Sequence, residues 1–237
     1  MKISLLFPPT WHPSQPYLSL PSLTGFLAQG GVTDVSQRDL GIELLDRVVT
    51  HSYGVALYQE LVDKQRTLEQ ERIGDTGPGS AEHLARVVES LDRFPYLIDR
   101  IEPAKETLRG EGFYDLESYK ESLFLIDKWL EVLSTLYFPT RLTVVDNQFG
   151  SCSIYSSKDL MKIIRDEAQN PYIRLFREQF VQSIVGDQPD LIGVSITATS
   201  QIIPGLTLCR LLKEAAPNIH LTIGGSIFTR LVDNVRR

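Results

Sequence analysis

The run Pro189-Asp190-Leu191-Ile192-Gly193-Val194-Ser195-Ile196-Thr197-Ala198-Thr199-Ser200 sets the architecture together with His220-Leu221-Thr222-Ile223-Gly224-Gly225. Leu191 to Ile196 is a short apolar run after a turn at residues 187–190, the pattern of a strand buried on both faces. Pro204 to Glu214 follows with Leu206, Leu208, Leu211 and Leu212, and reads as a helix that Ala216-Pro217-Asn218 breaks. His220 to Ile223 is a second strand running into a double glycine. Strand, helix and strand in this order make a parallel crossover unit.

The same pattern opens the chain. Ile3 to Phe7 is a continuous apolar run ended by Pro8-Pro9, again a buried strand. Thr10 to Ser19 reads as a loop. Ser22 is placed to cap a helix through about Gln29, which Gly30-Gly31 terminates. Val32 to Leu40 reads as a weaker, polar strand, and Gly41 to about Thr50 as a helix. The expected fold is α/β, a partial doubly wound Rossmann- or flavodoxin-like parallel sheet. Its four strands, counted among themselves, take the order 2-1-3-4.

Between these two blocks the pattern becomes charged and helix-periodic. Helices are expected over Glu82–Arg93, Tyr96–Arg109, Leu116–Tyr137 and Pro171–Ile184, a loop over Arg72–Ser80, and a short strand near Leu142–Val145. Leu123, Ile126, Leu130 and Leu133 form an apolar stripe that must be buried. The expected division is an α/β domain of residues 1–50 and 186–237, with a mostly helical insertion over 51–185. Phe228 to Arg237 starts a helix with no strand after it, which reads as the end of an N-terminal module of a larger protein.

Composition narrows the function. The formal net charge of -6 offers no electrostatic footprint for nucleic acid. Leu191 to Cys209 has no charged residue, but its polar groups and breakers argue against a membrane span, and no signal peptide is legible. A cytoplasmic protein without membrane or nucleic-acid partners is expected. Two cysteines, Cys152 and Cys209, exclude a disulfide scaffold and a four-cysteine metal site within the chain.

In an open parallel sheet, ligands bind beyond the carboxyl ends of the strands. Four loops meet there: Pro8–Ser19, Asp39–Gly41, Ser195–Ile203 and Gly224–Ser226. The hydroxyls of Ser195, Thr197, Thr199 and Ser200 supply donors and acceptors to a polar ligand. Gly224-Gly225 lets backbone approach something bulky. Each feature also has a plainer reading. The hydroxyl run can cap the next helix, the glycines can end a strand tightly, and Asp39 can cap the helix near Gly41. Cys209 reads as core, and His51, His83 and His220 show no metal spacing.

Ser195-Ile196-Thr197, then Gly224-Gly225, resembles the latter half of the cobalamin-binding signature Asp-x-His-x-x-Gly … Ser-x-Leu … Gly-Gly, with Thr197 replacing Leu. The text from Pro189 to Ser195, the opening Leu5-Leu6-Phe7-Pro8-Pro9 and Leu18-Ser19-Leu20-Pro21-Ser22-Leu23 are similar to the N-terminal cobalamin-binding domain of cobalamin-dependent radical S-adenosylmethionine enzymes. The resemblance covers residues 1–50 and 186–237. It implies a corrinoid held with its nucleotide tail between the two loops, at Pro9, Ser195, Thr197, Thr199, Ser200, Gly224, Gly225 and Ser226. It also implies a C-terminal radical domain carrying a four-iron cluster and S-adenosylmethionine, whose Cys-x-x-x-Cys-x-x-Cys triplet this chain lacks. Asp-x-His-x-x-Gly is absent, and only His12 has a counterpart, read as a loop residue and not as a ligand of cobalt. On this reading Gly225→Val blocks binding and spares the fold. The alternatives are a non-catalytic interaction domain that has lost the cofactor, and another small-ligand α/β domain. Against a nucleotide or flavin protein, no Gly-x-Gly-x-x-Gly or Gly-x-x-x-x-Gly-Lys loop follows any strand.

Overall fold

Each element follows from a local pattern, in the order β1 (Ile3–Phe7), α1 (Ser19–Gln29), β2 (Val35–Asp39), α2 (Leu40–Val48), α3 (His51–Arg72), α4 (Pro78–Arg109), α5 (Leu116–Thr135), β3 (Arg141–Leu142), β4 (Asn147–Gln148), α6 (Ser157–Ile163), α7 (Pro171–Phe176), α8 (Gln182–Gly186), β5 (Leu191–Ser195), α9 (Ile202–Ala215), β6 (His220–Gly224) and α10 (Ser226–Arg230). The computed structural model describes residues 1–72 and 78–230. The expected loop over 72–80 and helix over 228–237 lie partly outside the described residues; where the loop is described it is helical, residue 72 ending α3 and 78–80 opening α4. The chain forms two compact units, Met1–Leu44 with Ser151–Arg237, and Leu45–Gly150. Residues 151–185, read from the sequence as insertion, therefore belong to the unit that holds the sheet.

That unit is α/β. Its four strands are parallel in the order β2-β1-β5-β6, the expected 2-1-3-4 when the sheet strands are counted alone. β1 is buried at every residue and β5 at all but Leu191, as continuous apolar runs require. The polar β2 and the alternating β6 are the edges. Ile3, Leu5, Phe7 and Leu20 form a core cluster joined by Trp11, Tyr17 and Leu27, which seats α1 on one face of β1. α1 starts at Ser19 and not at Ser22. Ser22 is already helical, its N–H donating to Leu18 O at 3.0 Å, so its side chain has no capping role. Gly30 and Gly31 end the helix as expected, Gly31 in the left-handed region at φ 81°.

The segment after residue 150 is tied to this unit by buried polar contacts. Asn170 is fully buried, caps α7 by accepting from Tyr172 N–H at 3.1 Å, and donates to Thr207 Oγ1 at 2.9 Å. Arg210 Nε donates to Ile164 O at 2.8 Å. A π-helical stretch over Arg177–Val181 joins α7 to α8, so the expected helix over 171–184 is continuous in path but not in pitch.

The unit over Leu45–Gly150 is helical. α3, α4 and α5 pack around Trp129, which is fully buried and whose indole N–H donates to Val48 O at 2.9 Å. A Cβ at Gly54 would lie 2.4 Å from the Trp129 ring and 2.8 Å from Ile98. Only glycine lets α3 approach this closely, despite its cost in a helix. The two helices expected over 82–109 are one. Pro95 and Pro103 lie inside α4, where each removes a backbone donor. Burial of Phe94, Leu97, Ile98, Ile101 and Ala104 holds the helix together across both prolines. The stripe on α5 is buried at Ile126, Leu130 and Leu133, and half-buried at Leu123. The expected strand near Leu142–Val145 is instead the two-residue pairing of β3 with β4. Among the described residues, no helix is long and apolar enough to cross a membrane.

Candidate functional site at the carboxyl edge of the sheet

Strand register brings the loops to one edge. Phe7 lies opposite Asp39, Leu6 opposite Val194, and Ser195 opposite Gly224. Register partners in a parallel pair project on the same face, so Ile3, Leu5 and Phe7 share a face with Gly193, Ser195, Thr222 and Gly224. β1 fills its share of this face with large side chains, whereas the β5–β6 share, past Leu191 and His220, is floored by small ones toward its carboxyl end. A Cβ at Gly193 would meet Leu5 Cδ2 at 2.9 Å, so Leu5 leans over that glycine. A Cβ at Gly224 would meet nothing within 4 Å. Ser195 is buried, and no hydrogen bond among the described residues engages its hydroxyl. Gly193 and Thr222 were not singled out in the sequence. The signal available was their two-residue spacing from Ser195 and Gly224, the period of a strand.

The other hydroxyls are committed to the fold. Thr197 Oγ1 donates to Gln201 Oε1 at 2.9 Å, Ser200 Oγ to Thr10 O at 3.0 Å, and Ser226 Oγ to Thr197 O at 3.0 Å. Thr199 is exposed. Pro9 is buried, and its Cα lies 3.5 Å from where a Cβ on Gly41 would sit. The structure thus brings together Ser195 with Gly224, and Thr197 with Ser226. Pro9 lies toward the start of α2.

Gly225 has a different role from the one expected. Its φ is 118°, and a Cβ there would lie 2.0 Å from Ile196 O. The glycine is where the turn after β6 passes against the backbone at the end of β5. Gly225→Val therefore disturbs the edge itself, and it cannot separate binding from folding as the sequence reading supposed.

Gln201, fully buried, organises the edge and was missed. Its Oε1 accepts from Thr197 N–H at 2.9 Å and Ala198 N–H at 3.2 Å as well as from the Thr197 hydroxyl, while its Nε2 donates to Pro8 O at 2.8 Å. One amide thus ties the loop after β5 to the loop after β1. A glutamine directly after a hydroxyl run and before an apolar helix was the available signal. Thr10 supports the same junction. It is held at φ 71°, and its hydroxyl hydrogen-bonds Tyr172 OH at 2.9 Å. Non-glycine residues enter this region only when the surroundings hold them there.

The titratable groups nearby serve local structure. Asp39 Oδ1 accepts from Gly41 N–H at 3.0 Å and Ile42 N–H at 3.1 Å, so the capping reading holds. Burial raises the Asp39 pKa against these bonds. His12 Nδ1 lies 2.9 Å from Ser14 Oγ and 3.3 Å from Ser14 N, and burial lowers the histidine's pKa. Burial pushes the Cys209 thiol up to about 12, which suits an inert core residue. Among the described residues, no three His, Cys, Asp or Glu side chains are grouped to hold a metal ion. No family model, curated protein or solved structure matches this chain.

Proposed function

We propose that the α/β unit is a corrinoid-binding domain with Rossmann-like, doubly wound ancestry, and that the nucleotide tail of cobalamin lies along the small-residue floor of β5 and β6. The observation that carries this reading is the Ser195–Gly224 pair. An unengaged hydroxyl and a glycine opening onto free space sit in register on one face, at the strand ends where the cobalamin signature puts its serine and its first glycine. The residues present fit the group: Gly224 leaves room for the tail, Ser195 supplies a hydroxyl to it, and Gln201 fixes the loop around it. Pro9, Thr197, Thr199, Ser200, Gly225 and Ser226 complete the edge, several of them through backbone and internal bonds and not as direct contacts.

When bound, the corrinoid supplies a cobalt centre able to carry a methyl group or assist a radical step. The chain's own task is to hold and orient it. The iron–sulfur cluster and S-adenosylmethionine belong, on this reading, to a separate C-terminal radical domain, because two cysteines cannot form a three-cysteine triplet. His12 is engaged with Ser14, so no histidine is proposed below the cobalt.

One observation favours the second reading, a domain that has lost the cofactor. The loop after β1 is bonded to the loop after β5 through Gln201 and Ser200, and three of the candidate hydroxyls are spent internally. Titration with hydroxocobalamin, followed by visible absorption, separates the two. The corrinoid reading expects saturable binding with a base-off, histidine-free spectrum that His12→Ala leaves unchanged. A spectrum that loses histidine ligation in His12→Ala overturns the reading of His12 as a loop residue, and an absence of binding favours the second reading.

A further inference from the structure

The helical unit holds a concave site that the corrinoid reading does not use. A groove of about 510 Å³ lies along α4 and α5, within the size range of small-molecule sites. Residues 45–150 carry 19 Asp and Glu against 12 Lys and Arg, yet the groove wall inverts that balance. It presents Arg86, Arg93, Lys128 and Arg141 against only Glu89 and Glu131.

Both carboxylates are already engaged. Glu131 accepts from Lys128 Nζ at 2.6 Å and from Arg141 Nε at 3.1 Å, and Glu89 pairs with Arg93 at 2.6 Å. Arg86 pairs at 2.8 Å with Glu82, which is not part of the groove wall. That pair is exposed on both sides, and exposed pairs of this kind are weak enough for the guanidinium to turn to another anion.

The apolar part of the wall is Leu97, Val132 and the rings of Tyr96, Phe124 and Phe138, and groove cations stand over the two phenylalanines. Arg86 lies 5.2 Å from the centre of the Phe138 ring, and Lys128 lies 5.5 Å from that of Phe124. Phe124 is 57% exposed, a large apolar face presented in a concavity. Flat apolar surface beside surplus positive charge selects for a flat apolar body that bears an anion.

We propose that this groove binds a small aromatic carboxylate, its ring system against the exposed Phe124 and its charge met by the groove's surplus cations, Arg86 foremost. The proposal is independent of the corrinoid reading. Isothermal titration calorimetry on the full 237-residue chain tests it with 2-naphthoate, neutral 2-naphthylmethanol and inorganic phosphate. Naphthoate is expected to bind at least about tenfold more tightly than the alcohol, a factor that about 1.4 kcal/mol produces. Phosphate at the same concentration is expected not to displace it. Arg86→Gln and Phe124→Ser, both at exposed positions, are each expected to weaken naphthoate about fivefold or more with the thermal midpoint unchanged. Equal binding of acid and alcohol overturns the proposal in favour of a plain apolar patch, and displacement by phosphate overturns it in favour of a simple anion site. Undetectable naphthoate binding, or binding that Arg86→Gln leaves intact, also overturns it.

Discussion

Gly225→Val lowers the stability of the α/β unit by about 3 kcal/mol or more. A β-branched residue at φ 118° contributes about 1–3 kcal/mol of backbone strain by itself. Its Cβ must also move away from Ile196 O, which the native geometry would leave only 2.0 Å off. The colliding atoms are backbone at the end of a buried central strand, so no side-chain rotation relieves them. The loss propagates to the ladder bond from Ile196 N–H to Gly224 O, 2.8 Å in the native structure. Urea unfolding measures the effect. The chain has two tryptophans, one in each unit, so Trp129→Phe leaves Trp11 as reporter of the α/β unit. An unchanged urea midpoint for Gly225→Val in that background would show that the turn after β6 does not pass against Ile196.

Gln201→Leu is expected to cost about 2–4 kcal/mol, because its partners lose their bonds while the volume stays filled. Leucine leaves Thr197 N–H, Ala198 N–H and Pro8 O without their amide. Each buried polar group left unpaired costs about 1–3 kcal/mol, and water reaches the half-buried Thr197 and Ala198, which keeps the sum below three full penalties. Gln201→Glu is expected to cost at least as much, since at this fully buried position it replaces the donor to Pro8 O by an oxygen and buries a charge. The same urea titration reads all three proteins. Wild-type stability of Gln201→Leu would mean that the loops after β1 and β5 are held by something else.

The sheet was legible because its strands differ in kind. Ile3 to Phe7 and Leu191 to Ser195 are unbroken apolar runs that only a strand covered on both faces can bury. The polar β2 and β6 then follow as edges. The helical unit was less legible. Pro95 reads as a helix break, whereas tertiary burial of Phe94 and Ile101 carries α4 across it, as well as across Pro103. α3 was not named at all, because its charged surface hides a narrow stripe of Leu57, Leu61 and Leu68. Residues 151–185 looked like insertion because their link to the sheet unit, the burial of Phe176, Phe180 and Ile184 together with buried polar bonds, is made between distant parts of the chain. Tyr172 to Thr10 spans 162 positions of sequence, and no local pattern encodes such a bond.

At the candidate site, the sequence placed Ser195, Gly224 and four loops at one edge, and the structure sets Ser195 opposite Gly224 there. The close approach of Gly225 to Ile196 O and the internal bonds of Thr197, Ser200 and Ser226 were not legible. Spacing can place a serine and a glycine at strand ends. Whether a hydroxyl faces a ligand or a neighbouring carbonyl depends on the loop from β1, which comes from the far end of the chain. Gln201 shows the same limit, since its role is visible only once Pro8 lies beside it.

If the β5–β6 face beside Gly224 is a slot for a corrinoid tail, Gly224→Val fills it. Gly224 is a strand residue without a left-handed φ, and a side chain there enters open space, so the variant leaves the fold intact. The measurement is the affinity for hydroxocobalamin of wild type and Gly224→Val by visible titration, with urea midpoints recorded for both. Saturable binding to wild type, a loss of about tenfold or more in Gly224→Val, and equal midpoints are the expected result. Equal affinity in two equally stable proteins would contradict it.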